Sequence, residues 1–189
     1  MQKKNRISIL LLAGALTLLS YDLPKDWVRA GNQPNKYEMG TDPGAGINGK
    51  NAATIRSIKK HVTGFGTLMQ HSMPDKYLGK RVRMTGYMKS QDVDGWGGFW
   101  FRVDGKEKGK VLSFDNMQNR SVKGNTEWKK YEIVLDVPEN AAKLAYGALL
   151  SGTGQIWFDD VNFEIVDKSV AITGTWMTLN EPSNLNFEQ

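Results

Sequence analysis

Residues 80–90 alternate strictly. Val82, Met84, Gly86 and Met88 fall on one side, and Arg81, Arg83, Thr85, Tyr87 and Lys89 on the other. Period two over this length describes a strand with one dry face and one wet face. The pattern recurs down the chain. Residues 96–104 place Phe99, Phe101 and Val103 opposite Gly98, Trp100 and Arg102. Residues 128–137 send Tyr131, Ile133, Leu135 and Val137 inward, and residues 143–151 send Leu144, Tyr146, Ala148 and Leu150. Shorter strands are expected at 26–31, 36–41, 50–59, 65–71 (two-sided) and 110–115. Residues 42–49, rich in Gly, Pro and Asn, read as loop, and Gly152-Thr153-Gly154 as a tight turn. The last strand, 155–166, breaks step. Ile156 and Phe158 share one parity and Val161, Phe163 and Ile165 the other, so a one-residue bulge at Asp159-Asp160 is needed to keep both halves on the core. No segment sustains a 3.6-residue period. The expected fold is all-β, a two-sheet antiparallel β-sandwich of the jelly-roll kind.

The chain's start differs. Lys3, Lys4 and Arg6 precede an uncharged apolar run from Ile7 to Leu19, the layout of a secretory signal and short for a membrane span. A retained anchor is the alternative. The expected organisation is a signal or anchor over 1–21, a sandwich over 22–167 and a polar tail over 168–189. Residues 1–21 hold three of the 25 cations and none of the 20 anions, so the remainder carries only +2. Bulk charge therefore gives no reason to expect nucleic acid. With no Cys, an exported domain of this length must hold itself together by its core.

Three segments, 77–89 (YLGKRVRMTGYMK), 128–140 (WKKYEIVLDVPEN) and 152–161 (GTGQIWFDDV), resemble in layout the galactose-binding-like jelly rolls, which include carbohydrate-binding modules. A further set is 37–40 (YEMG), 64–70 (GFGTLMQ), 95–96 (GW), 99–104 (FWFRVD) and 114–120 (FDNMQNR). It resembles a small bacterial domain of Bacillus-type genomes, found alone or behind a helix-turn-helix and often labelled a transcriptional regulator. The resemblance covers roughly 26–188 and implies the jelly roll, not an activity. The export-type start leaves no room for a helix-turn-helix, so an exported module is expected rather than a DNA-binding regulator. In such jelly rolls an acidic residue near Asp159 or Asp160 can join one from an early strand, here Glu38 or Asp42, in a structural calcium site. The alternative is that Asp159 or Asp160 caps backbone amides at the bulge.

Catalytic signatures are missing. The absence of Cys excludes thiolate chemistry, His61 and His71 stand in no ligand motif, and residues 147–151 (GALLS) do not form a nucleophile elbow. No sequence pair demands the two facing carboxylates of a glycosidase. The binding expectation rests on one outward sheet face bearing Arg83, Tyr87, Trp100 and Arg102. Asp115, Asn116 and Gln118 are expected at its rim, with Gln70 reaching in. An outward Trp offers a platform for a sugar ring, and the polar side chains can bond hydroxyls. The competing reading is that Trp100 is covered by loop 116–125 or that both faces of its strand are buried. Trp96 is a second candidate, while Trp128 and Trp157 are expected to close the core ends. The expected function is an exported, non-catalytic ligand-binding module, with carbohydrate as ligand. The alternative is a protein-interaction or sensory domain.

Overall fold

The computed structural model describes residues 21–174. Eight strands follow in order: β1 (Val28–Gly31), β2 (Tyr37–Asp42), β3 (Ala52–Ser57), β4 (Phe65–Ser72), β5 (Lys80–Gly105), β6 (Val111–Asp115), β7 (Val122–Val137) and β8 (Ala141–Val166). Every pairing between them is antiparallel, and the described residues contain no α-helix. The apolar run 7–19 and the tail beyond 174 lie outside the described residues.

β5 and β8 run 26 residues each and serve both layers. The front sheet has the order β1-β4-β8-β5-β6, using the first half of β8 and the second half of β5. The back sheet has the order β2-β3-β8-β5-β7, using the other halves. The result is a jelly-roll sandwich whose hydrogen-bond ladder folds continuously from one layer into the other.

That fold-over corrects two expectations. Residues 91–95 do not separate two strands, and Gly152-Thr153-Gly154 does not reverse the chain. Both segments are corners where paired strands cross between sheets together, with Asp94 opposite Thr153 and Gly95 opposite Gly152. Gly95 and Gly152 have φ of +119° and +85°, and a Cβ on Gly152 would stand 2.1 Å from the Asp94 carbonyl oxygen. Only glycine fits such a corner. In sequence, glycines at a corner and at a hairpin look alike. β7 also begins at Val122, earlier than the alternation suggests.

The core fills the space between the layers. Phe99, Phe101, Leu68, Leu144 and Leu150 enter from the front, and Val82, Met84, Met88, Ile133 and Phe158 from the back, all 2% exposed or less. Phe99 meets Phe158 edge-on at 5.9 Å. Each such side chain contributes on the order of 1.5–3 kcal/mol. The expected bulge is present. Thr85 pairs with Asn162 but Tyr87 with Asp159, and Asp160 has φ of 51°. Phe158 and Phe163 consequently both pack on the core.

One buried phenol ties the layers at the corner. Tyr37 of β2 donates to the carbonyls of both Gly64 (3.0 Å) and Gly152 (2.9 Å). Its burial pushes the phenol up to about 12. After β8, Thr173 pairs with Val134 of β7 through N–H···O contacts of 2.9 Å in each direction.

Candidate functional site

The corner at 91–95 divides the expected binding face in two. Arg83 and Tyr87 precede it and lie on the outer face of the back sheet. There Arg83 sits between Glu132 (3.2 Å) and Glu164 (3.0 Å), and Lys130 stands over the Tyr87 ring. Trp100 and Arg102 follow the corner and lie on the outer face of the front sheet, across the whole sandwich. The expectation of one shared face is therefore corrected: parity was right within each half of β5, but the halves belong to different layers.

Two further candidates turn inward. Gln70 has the parity of Leu68 and accepts the Tyr146 hydroxyl at 2.7 Å, at an end of the core. Asp115 is 3% exposed. It is paired with Arg120 at 2.6 Å and accepts the Met117 amide at 2.8 Å, which fixes the turn after β6. Gln118 is exposed on that turn. Of the eight candidates, Trp100, Arg102 and Asn116 line a common groove.

The four acidic candidates for calcium are not assembled. Glu38 is paired with Arg56, and Asp42 accepts the Trp157 indole N–H at 2.7 Å. Asp159 accepts the amides of Ile47 (3.1 Å) and Asp160 (2.8 Å). Asp159 thus caps backbone at the bulge, the alternative role. Among the described residues no cluster of three or more His, Asp or Glu has a metal-holding arrangement. Lys89 stands between the rings of Trp128 (5.1 Å) and Trp157 (4.9 Å) on the back sheet's outer face, so those indoles clasp a cation rather than close the core ends.

The groove lies on the outer face of the front sheet, with a volume of about 640 Å³. Its floor is a second apolar cluster, separate from the core: Trp100, Met69, Leu149 and Ala145. Trp100 is 7% exposed, so the indole is neither an open platform nor part of the main core. It lies opposite Gly147 of β8 and reaches beyond that strand to β4, where its N–H donates to the Thr67 hydroxyl at 2.8 Å. Thr67 passes the bond on to the Ala148 carbonyl at 2.7 Å. No side chain at position 147 obstructs the crossing, and a Cβ there would stand 2.2 Å from the Leu68 carbonyl oxygen.

Above this floor stand half-buried Trp96, Phe65 and Phe114. The polar groups are few. Asn32 accepts the Phe65 amide at 2.7 Å, and Asn116 accepts the Gln118 amide at 3.1 Å, which in each case commits the oxygen and leaves the amide nitrogen. Ser151 donates to Gly64 at 3.3 Å. At one end Arg102 is locked to Asp104 through two contacts of 2.7 and 3.0 Å. His71 lines the groove at that end, and partial burial, then the charges of Lys143 and Arg102, hold its imidazole below its ordinary value. Aromatic walls with sparse convergent polar groups can stack against a flat ligand and bond its polar atoms. The described lining contains no Asp or Glu.

The sequence reading missed Phe65, Thr67, Phe114 and Asn32. The signal for the first two was available: Phe65, Thr67, Met69 and His71 alternate with Gly66, Leu68 and Gln70, the mark of a strand with two occupied faces.

The fold and groove define a jelly-roll sandwich of the architecture found in carbohydrate-binding modules. Solved structures bear this out at the level of fold. The xylan-binding CBM22-1 domain of Paenibacillus barcinonensis Xyn10C matches with a TM-score of 0.54 at 13% identity, over 78% of this chain and 90% of that one. The CBM22-1-GH10 modules of Clostridium thermocellum Xyn10B match at 0.51 and 14% identity, over 75% and 26%. The enzymatically active domain of bacteriophage CBA120 tailspike protein 4 matches at 0.56 and 10% identity, over 75% and 20%. No family model matches the chain. At the level of sequence, the chain is 44% identical over 169 residues to the uncharacterized HTH-type transcriptional regulator YbfP of Bacillus subtilis (strain 168). The match takes in 87% of this chain and spans 57% of the length of that relative.

Proposed function

We propose that this chain is a non-catalytic ligand-binding module that takes a carbohydrate in the front-sheet groove. The observation that carries the reading is the arrangement of Trp96 and Phe114, half-buried above a recessed Trp100, with Asn32, Asn116 and Ser151 among them. Exposed ring edges and faces match the C–H faces of a sugar, and the amide nitrogens match its hydroxyls. The carboxylate-free lining supports a binding role, because glycoside hydrolysis needs a facing acid pair. Fold likeness to xylan-binding modules agrees with the reading but does not select xylan.

We also infer that residues 1–21 direct export, which N-terminal sequencing of protein recovered from culture medium tests. The relative's name favours a second role for the same groove, that of a sensor whose occupancy is passed to a partner. Affinity electrophoresis through gels containing xylan, mixed-linkage glucan, galactomannan, polygalacturonate or alginate tests the main reading. Retardation by at least one polymer, lost in Trp96→Ala, is expected. Unretarded migration in every gel contradicts it.

A further inference from the structure

We propose that the glycan held by this groove is acidic, with its carboxylates seated beyond Arg102 in a lysine-lined trough. The inference rests on the carbohydrate reading above and adds a ligand class to it.

Arg102, at one end of the groove, also lines a second trough of about 440 Å³, built from the loop between β5 and β6 and the start of β8. Arg102, Lys106, Lys108 and Lys143 face Asp104 and Glu107 there. Both acids are already engaged. Asp104 is held by Arg102 and by Lys143 at 3.6 Å, and Glu107 by Lys110 at 3.3 Å. Lys106 and Lys108 have no carboxylate partner among the described residues. Both are exposed and available to a ligand.

The site is thus polarised along its length. The groove is aromatic and has Arg102 as the one permanently charged side chain of its described lining, whereas the trough has four cations to two carboxylates. At the junction His71 is held below its ordinary value by burial first and then by the charges of Lys143 and Arg102, with Asp104 opposing them. A neutral polymer gains nothing at the lysine end. A uronate-bearing polymer stacks one ring on the aromatic end and forms charge-assisted hydrogen bonds at the other. A nucleic acid would meet cations at one end only, whereas single-strand binders carry charge along the whole groove.

The test uses polygalacturonate, alginate, glucuronoxylan and hyaluronan, each beside its carboxyl-reduced form, with an oligothymidylate as a further arm. At least one acidic polymer is expected to bind about tenfold more tightly than its reduced form. Lys106→Glu/Lys108→Glu should abolish that preference while leaving reduced-polymer binding intact, and added salt should weaken it. Equal binding of acidic and reduced forms overturns this inference and leaves the carbohydrate reading standing. Binding of neither kind overturns both. Preference for the oligothymidylate over every acidic polymer also overturns the inference.

Discussion

The indole N–H of Trp100 donates to the hydroxyl of Thr67 at 2.8 Å, reaching from β5 beyond β8 to β4. This bond sets the depth of the groove, because it lays the ring down as a floor instead of letting it stand up as a wall. Thr67 is 3% exposed, so water cannot replace its oxygen. Thr67→Val should therefore cost about 1–3 kcal/mol, read from denaturant unfolding midpoints.

Burial separates the roles of the two groove indoles. Trp100→Ala should cost about 3–5 kcal/mol by opening a cavity under the face. Half-buried Trp96 packs less, and Trp96→Ala should cost on the order of 1 kcal/mol while abolishing ligand binding. Equal destabilisation by the two substitutions would show that Trp96 serves packing.

The corner where β5 and β8 change sheets depends on glycine. Gly152→Ala should destabilise by more than about 2 kcal/mol, because its Cβ meets the Asp94 carbonyl at 2.1 Å in a left-handed conformation. Gly109 is also left-handed but has nothing within 4 Å of its Cβ. Gly109→Ala should cost about 1 kcal/mol. Thermal melts of the two variants check the contrast.

The limits of the sequence reading lie at this same corner. Alternation within 80–90 and within 96–104 marked Val82, Met84, Phe99 and Phe101 as core and Trp100 and Arg102 as outward, and the parity break at Asp159-Asp160 marked the bulge. These are local facts, written in the period of the side chains. What the alternation did not contain is which layer each half of β5 joins, because that depends on pairing with β4, β6, β7 and β8 far away in sequence. Parity alone therefore groups Arg83 and Tyr87 with Trp100, although the fold puts them in different layers. Asp42 is spent on Trp157, and Asp159 in part on the Ile47 amide, partners that only the tertiary fold brings near, whereas Asp115 is spent locally on Met117 and Arg120.

His71 gives a pH-dependent readout. Its imidazole is held below its ordinary value by partial burial first, then by Lys143 and Arg102. Protonation is thus disfavoured in the folded state, so its contribution to stability is intact at neutral pH and declines as pH falls into the range where the unfolded chain's histidine takes up a proton. NMR titration of the ring should give a depressed value that rises in Lys143→Ala and rises again when an acidic glycan binds. An unchanged value in Lys143→Ala would contradict the positive field at the groove mouth.

Tyr37 predicts the alkaline limit. With the folded phenol pushed up to about 12 by burial, its neutral form is favoured in the native state. Stability from this group is full below the ordinary tyrosine range and lost as pH rises toward the folded value. Alkaline unfolding should be shifted in Tyr37→Phe, which removes the ionisation together with the bonds to Gly64 and Gly152.

The indole N–H resonances of the tryptophans report on which face of the sandwich ligand binds. Trp96 and Trp100 lie in the front groove, whereas Trp128 and Trp157 clasp Lys89 on the opposite face. On titration with a polysaccharide retained in affinity gels, the Trp96 and Trp100 signals should shift while those of Trp128 and Trp157 stay in place. Shifts confined to Trp128 and Trp157, with the groove signals unmoved, would place binding on the back sheet and overturn the assignment to the groove.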